Sequence, residues 1–441
     1  MKMNNEITEK LEEAGFETYL VGGCVRDELL GRETFDIDIT SQAQPDQILK
    51  VFNGYKTIDI GKKFGTIKVL LDSMEYEITT MRKESGYSDK RHPSEIYYTD
   101  DIYEDLKRRD FTINSMAKRN GQIIDPFDGQ IDLSNKVIRA VGDPNDRINE
   151  DMLRALRAVR FATSLNFEIE GDLKNAIRSH SSFLNDISKE RIQVEINKTL
   201  LTNNPSRGIR ILADLGLLEY IFPEVARTIN FDQHSTFHSD DLFNHTLSVL
   251  DKSPAILEVR MAALYHDVGK IDTFFLDENG EGRFFGHQSL SEELLIKRLK
   301  ELKYSNRFIE NTAILVKRHM DNTNTYTKKS IRKLLRNIGE DNIINLFYLQ
   351  RADVLSTNHA DDSNIDLGLE LLHEVKNDST PKSRNEIKIN GNDLKKLGFT
   401  EGKELGDILR EIENLIYDEK LINNKKDIIN YLKERFDIVD W

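Results

Sequence analysis

The feature that most narrows the fold is a change of hydrophobic period part-way along the chain. Up to about residue 140, apolar residues alternate with polar ones or gather in short runs; beyond Asn145 they recur at helical spacing. Thr18-Tyr-Leu-Val21 is a short apolar run ending in Gly22-Gly23, and Val25–Leu30 reads as a short helix closed by Gly31. Phe35-Asp-Ile-Asp-Ile39 alternates strictly, as a two-faced strand does. Thr66–Leu71 and Met74–Thr80 are further strands, joined by a turn at Asp72-Ser73. Glu150–Ala162, Arg191–Leu201 and Arg207–Leu218 carry helical patterns. The expected fold class is therefore α+β: an α/β head followed by an all-helical remainder. Boundaries are expected near 140, 225 and 365, giving a head (1–140), a helical neck (141–225), a helical body (226–365) and a helical tail (366–441).

Composition excludes several classes. The 441 residues carry 62 Lys+Arg against 76 Asp+Glu, a net charge of −14, so the chain is not built to coat nucleic acid indiscriminately. Cys24 is the one cysteine, which rules out a disulfide framework and a Cys-rich zinc site. Met1–Glu13 is polar and acidic, unlike a secretory signal, and no apolar run approaches the ~18–20 residues of a membrane span. The expected location is the cytosol, with no membrane partner. Residues 297–336 hold twelve Lys/Arg against three acids, either a solvated helix face or a surface for RNA phosphates.

Asp36 and Asp38 lie two apart on the strand, so both carboxylates share a face while Ile37 and Ile39 turn to the core. Side-by-side carboxylates make an oxygen site for Mg²⁺. The preceding run Leu20-Val-Gly-Gly-Cys-Val-Arg-Asp27 places two glycines between a strand and a helix, where the backbone approaches a phosphate and the helix amides face it. Arg26 adds a cation in the first helical turn, which the macrodipole disfavours unless an anion is near. A phosphate grip followed by paired metal ligands is the layout for nucleotidyl transfer.

Downstream, Asp151, Arg154, Arg157 and Arg160 recur every three residues on a predicted helix. Cytosine and adenine each present an exocyclic amine beside an unprotonated ring nitrogen. A carboxylate accepts from the amine while a guanidinium donates to the ring nitrogen; uracil and guanine present the reverse pattern.

Taken in order, Leu-Val-Gly-Gly-x-Val-Arg-Asp, Leu29-Leu-Gly-Arg32, Asp36-x-Asp38, Arg108-Arg-Asp-Phe-Thr-Ile-Asn114, Asp125-Pro-Phe-Asp-Gly129 and Glu150-Asp-x-x-Arg-x-x-Arg-x-x-Arg-Phe161 resemble the class II CCA-adding enzymes, tRNA nucleotidyltransferases of the polymerase-β type related to bacterial poly(A) polymerases. The resemblance spans residues 18 to about 220. It implies that Gly22, Gly23 and Arg26 grip the triphosphate, that Asp36 and Asp38 hold Mg²⁺, and that a third carboxylate, Glu77 ahead of Glu75, completes the catalytic set. It implies that Asp151 and Arg154 read the base, while Arg109, Arg157 and Arg160 contact phosphate, ribose or the base stack, with Arg108 an alternative phosphate contact. The partners would be the tRNA 3′ end, CTP and ATP. Gly86–Pro93 matches the loop with which the family switches from C to A addition, and Phe64-Gly-Thr66 resembles the CCA-adding branch rather than poly(A) polymerases. Alternatives are a partial CC- or A-adding enzyme, a poly(A) polymerase, or a non-catalytic RNA-binding protein.

A second constellation, His245, His266-Asp267 and Asp353, resembles the HD phosphohydrolase superfamily, as do Ala263–Lys270 and Gly286-His287-Gln288. It implies a second divalent-metal site, with His238, His287 and His319 as further ligands, and a metal-dependent phosphohydrolase as the competing activity. Ile389–Leu394 and Leu397–Gly406 resemble the family's C-terminal segment; Asp407–Tyr417 reads as an amphipathic packing helix.

Overall fold

The structure, a computed structural model, describes residues 6–34, 36–61, 65–72, 74–85, 95–234, 241–321, 325–358, 360–377, 386–417 and 420–436. Phe35, Phe64, Ser73, the 86–93 loop and His238 lie outside these residues. The chain forms two compact units, Met1–Ala226 and Arg227–Trp441.

The first unit opens with α1 (Glu6–Glu13), β1 (Thr18–Val21), α2 (Gly23–Leu29), β2 (Asp36–Ser41), α3 (Pro45–Val51), β3 (Lys56–Gly61), β4 (Thr66–Leu71) and β5 (Met74–Thr80). The hairpin β6 (Arg82–Ser85) and β7 (Glu95–Tyr98) leads to α4 (Ile102–Lys107), a 3₁₀ turn at Thr112–Asn114, β8 (Ala117–Arg119) and β9 (Gln122–Ile124). Seven strands form one sheet in the order β3-β4-β5-β2-β1-β8-β9. Only β2 and β5 run parallel in it, pairing Asp36 with Glu75 and Asp38 with Glu77.

Alternation decides which face each residue takes. Ile37, Ile39, Ile67, Val69, Tyr76 and Ile78 are buried with Ile7 and Leu11 of α1 and Ile48 of α3. The intervening Asp36, Asp38, Glu75 and Glu77 therefore stand on the opposite face.

Helices follow: α5 (Gly129–Asn135), α6 (Pro144–Glu150), α7 (Leu153–Leu165), α8 (Gly171–His180), α9 (Lys189–Leu200), α10 (Pro205–Asp214), α11 (Leu218–Ile221) and α12 (Pro223–Ala226), with β10 (Val137–Ile138) pairing to β11 (Glu168–Ile169). The helix expected over 150–162 is two helices. Asp151 sits between them in extended backbone (φ −154°, ψ 104°) as the C-cap of α6. The even arginine spacing runs across this break because its local cause, an Asp151 carboxylate accepting from Leu153 N at 3.0 Å, leaves no Gly or Pro signature.

The second unit holds α13 (Leu242–Lys252), α14 (Leu257–Tyr265), α15 (Lys270–Thr273), the hairpin β12 (Phe275–Leu276) and β13 (Gly282–Arg283), α16 (His287–Glu301), α17 (Asn306–Arg318), α18 (Lys328–Val354, bent at Gly339) and α19 (Ser363–Asn377). α20 (Gly391–Lys396), α21 (Lys403–Tyr417) and α22 (Lys425–Phe436) bury Leu394, Ile408, Ile412, Ile416, Ile428 and Leu432 in a core of their own. In the basic 297–336 stretch, Lys317 pairs with Glu292, Arg318 with Asp321, Lys328 with Glu374 and Arg336 with Glu413, so much of its charge is spent within the fold.

Candidate active site

The head brings Asp36, Asp38, Glu75 and Glu77 onto two neighbouring strands in register. Burial pushes the Asp38 carboxyl up to about 6, with Arg109 opposing and Glu77 and Asp36 adding to the rise. Lys68 on β4 lies 3.2 Å from Glu75 and 3.8 Å from Glu77, a cation held beside the acidic face. A half-buried carboxyl whose neighbours resist its ionisation suits a bound divalent cation, which would reverse that resistance.

The turn after β1 serves the same face. Gly22 has φ +72° and ψ −128°, a conformation that L side chains rarely adopt. A Cβ there would stand 2.9 Å from Arg109 Nη1 and 3.4 Å from Asp38 Oδ2. Gly22 is thus the close-approach position, and Gly23 opens α2.

The arginines are organised by acids that the sequence reading left without roles. Arg26 Nη1 donates to Asn114 Oδ1 at 2.6 Å, and its Nε and Nη2 each donate to Asp27 at 2.9 Å. Asp27 is thus one anion beside the Arg26 guanidinium at the helix start. Asp105, fully buried on α4, accepts from Arg108 at 2.7 Å and Arg109 at 3.3 Å. Arg109 Nε is buried with no hydrogen-bond partner among the described residues, a donor left over for a ligand. Burial raises the Asp110 carboxyl, but Arg157 and Asn114 outweigh it and hold it down at about 2. Arg157 reaches Asp110 at 2.6 Å, and Asn114 donates to the same carboxylate. An Asp-x-x-Arg-Arg spacing at 105–109 is the one local signal that would have found Asp105.

Asp151 and Arg154 are near in sequence but do not pair. Asp151 Oδ2 accepts from Arg191 of α9 at 2.6 Å. Arg154 is buried and donates to Glu150, to Arg147 O at 3.1 Å and to Arg108 O at 3.3 Å. Arg160 pairs with Glu195 at 2.6 Å and lies 4.0 Å over the Phe161 ring. Arg157 and Arg160 are thus engaged by acids, and Arg26 and Arg157 also stack on Phe161 at 5.1 and 5.6 Å. Phe161 links Arg26 of α2 to the α7 arginines.

In the second unit, the histidines converge. His245 Nε2 is 3.2 Å from Asp353, His266 Nε2 is 3.2 Å from Asp267 Oδ2, and His287 Nε2 and His319 Nε2 are 3.1 and 3.6 Å from Asp267 Oδ1. The Nδ1 atoms of His266, His287 and His319 lie 2.8, 2.9 and 2.7 Å from the carbonyls of Ala263, Phe284 and Val316. A carbonyl only accepts, so each ring donates outward through Nδ1 and turns Nε2 toward the aspartates. Two ligand sets share Asp267: His245 with His266, and His287 with His319, each within 4.8 Å. Lys270 Nζ, 2.7 Å from Asp267 Oδ2, balances part of the charge.

The head thus has the design of a nucleotidyltransferase, and residues 18–139 match the family described as Poly A polymerase head domain. Residues 166–229 match "Probable RNA and SrmB- binding site of polymerase A", and residues 284–432 match tRNA nucleotidyltransferase domain 2. The CCA-adding enzyme of Ligilactobacillus salivarius is 36% identical over 435 residues, covering 97% of this chain and 95% of that protein. That of Staphylococcus haemolyticus is 34% identical over 443 residues, covering 98% and 97%. The chain belongs to the CCA-adding enzyme family of tRNA nucleotidyltransferases. The crystal structure of the Bacillus stearothermophilus CCA-adding enzyme in complex with CTP matches with a TM-score of 0.78 at 26% identity, covering 99% of this chain and 98% of that one. Enzymes of this class depend on a divalent metal. No helix among the described residues is long and apolar enough to cross a membrane.

Proposed function

We propose that this chain adds C, C and A to the 3′ end of tRNA without a nucleic-acid template, consuming CTP and ATP and releasing pyrophosphate. The observation that carries the reading is the β2/β5 register, which sets Asp36 and Asp38 beside Glu75 and Glu77 under the Gly22 turn. The terminal hydroxyl attacks the α-phosphorus; the new P–O bond forms as the bond from the α-phosphorus to the oxygen bridging to the β-phosphate breaks, pyrophosphate departs with that oxygen, and the hydroxyl proton passes to solvent. Mg²⁺ held by Asp36, Asp38 and Glu77 would supply charge neutralisation for attack and departure. Gly22 and Gly23 let the triphosphate approach the backbone, and Arg26 and Arg109 donate to its oxygens. Asp151 accepts from the base amine and Arg154 donates to the ring nitrogen, leaving unpaired groups against U and G. Arg191 anchors the Asp151 carboxylate by its second oxygen. Residues 1–140 would serve as the transfer head and 141–225 as the base-reading neck, in a cytosolic protein. Replacing Asp36 with Ala tests this: nucleotide transfer should vanish while the melting temperature holds, and retained transfer would refute it.

The His/Asp cluster supports a second reading, a divalent-metal site of HD type in a body spanning 226–365. Four Nε2 atoms directed at the buried Asp267 and the half-buried Asp353 favour it over satisfied core histidines. Metal content should fall in His266→Ala relative to the parent. Phosphomonoester hydrolysis that survives Asp36→Ala but not His266→Ala would add an activity to the site; equal metal content in both proteins would rule the site out.

A further inference from the structure

Beside the His/Asp cluster lies a side chain that neither the transfer chemistry nor the proposed metal-ligand set includes. Gln233 is 1% exposed, in the segment that follows α12. Its Oε1 accepts from Lys270 Nζ at 2.9 Å, and the same ammonium lies 2.7 Å from Asp267 Oδ2. An ammonium only donates, so this contact fixes which end of the amide faces Lys270. Nε2 is left at the other end, buried and with no hydrogen-bond partner among the described residues. A buried donor without an acceptor is costly, and each one in a fold calls for a reason.

The fold holds Gln233 in that place. Gly282 N of β13 donates to His234 O at 2.8 Å, and a Cβ on Gly282 would stand 2.1 Å from Gln233 O. Only glycine at 282 lets β13 come this close to the Gln233 backbone. His234 takes φ +46°, a costly conformation for a residue with a side chain, and its ring stacks on Phe274 with centroids 5.8 Å apart. Lys270, itself buried, lies over the Phe284 ring at 5.2 Å. Both polar side chains are thus anchored at one edge of the cluster.

Charge decides what that edge can take. Asp267 and Asp353 bring two negative charges, and Lys270 returns one positive. With neutral imidazoles, a single divalent cation already turns the net charge of the site positive. A purely structural metal site gains nothing from a buried ammonium on its ligand, because the ammonium repels the metal. An ammonium and an unpaired amide N–H on the same edge become favourable together when an oxyanion on the metal sits against them.

We infer that Lys270 and Gln233 form an oxyanion subsite at the edge of the His/Asp cluster, taking the phosphoryl group of a phosphate monoester, with Gln233 Nε2 donating to one of its oxygens. The inference rests on the divalent-metal reading of the cluster given above and deepens it: the site holds a ligand rather than only bracing the body.

The test is calorimetric titration of the full chain, supplemented with Mn²⁺, with inorganic phosphate and with phenylphosphonate, an ester analogue that has no P–O–C bond to cleave. Metal content is measured on the same samples. Gln233→Glu keeps an acceptor for Lys270 but replaces the amide donor with a carboxylate oxygen. Gln233→Met removes the donor without adding charge. Both variants should hold as much Mn²⁺ as the parent, and both should bind the two anions at least about tenfold more weakly at one site per chain. Anion or metal bound by the head is common to parent and variants and cancels in the comparison. Unchanged anion affinity in whichever variant keeps the parent's metal content overturns the proposal. So does phosphate binding by a parent that takes up no phenylphosphonate, since the edge would then serve a free anion. The two readings fail separately. If His266→Ala keeps the parent's metal content, the metal reading falls and takes this inference with it; if His266→Ala loses metal while the Gln233 variants bind both anions as the parent does, only the inference falls.

Discussion

Replacing Gly22 with Ala separates backbone strain from the workings of the site. At φ +72° an alanine pays about 1–3 kcal/mol in backbone strain. Its Cβ would also stand 2.9 Å from Arg109 Nη1, the movable end of a long side chain, and 3.4 Å from Asp38 Oδ2. Arg109 must give way, because its tip is free to swing and the β2 backbone behind Asp38 is not. That displacement breaks its 3.3 Å contact with Asp105 and moves it from the place where it is proposed to meet the triphosphate. A hydrogen bond to a charged group is worth about 1.5–3 kcal/mol, so kcat/KM should fall roughly 10- to 150-fold. Gly15 provides the control: its φ is +91°, and nothing lies within 4 Å of a Cβ built there. Gly15→Ala should therefore lose comparable stability in a denaturant titration while keeping its turnover. Equal kcat/KM in the two variants, after matching for the folded fraction, would refute the claim that close approach at Gly22 positions Arg109.

Arg157→Ala should cost about 3–5 kcal/mol in urea unfolding, because it leaves the buried Asp110 carboxylate without its cation; a loss below about 1 kcal/mol would contradict the pairing. Asp110 itself, held at about 2, contributes stability that is present above its unfolded pKa and lost as pH falls toward about 2, which an acid unfolding curve of Asp110→Asn should no longer show. Asp38 has the opposite sign: its folded pKa of about 6 lies above the unfolded value, so ionising it costs stability as pH rises toward 6. Protons should therefore compete with Mg²⁺, and the Mg²⁺ concentration for half-maximal transfer should climb as pH drops below about 6; a flat Mg²⁺ requirement would dispose of this. Asp151→Ala should relax discrimination against UTP and GTP by at least about tenfold, and an unchanged ratio of kcat/KM for CTP over UTP would remove Asp151 from base reading.

Much of the head was legible because alternation leaves little freedom. Once Ile37 and Ile39 are in the core, Asp36 and Asp38 must face the other way, and β4 and β5 begin and end where their apolar runs do. The parallel β2/β5 register, which decides that Glu77 rather than Glu75 stands opposite Asp38, needs tertiary structure. The same holds for Asp110, whose partner Arg157 is 47 residues away, and for Arg191, 40 residues from Asp151. The α6–α7 break escaped notice because periodic arginines continue through it while the side chain of Asp151 makes the turn. The pairing of Arg26 with its own neighbour Asp27 was not named from sequence, because an adjacent acid gives no sign of which way its side chain turns. His287 and His319 were legible as members of the His/Asp cluster, but the backbone carbonyls that fix their tautomers carry no side-chain signature at all.

The central claim, that one untemplated site completes CCA, is tested most directly by incubating the protein with Mg²⁺ and three tRNA transcripts, ending before CCA, after C and after CC. Each NTP is offered singly, and then CTP and ATP together. The account predicts C addition to the first two from CTP alone, A addition to the third from ATP alone, no product from UTP or GTP, and completion of all three with the mixture. Stalling at CC, extension only of the transcript ending in CC, or runs of A on any of them would contradict it.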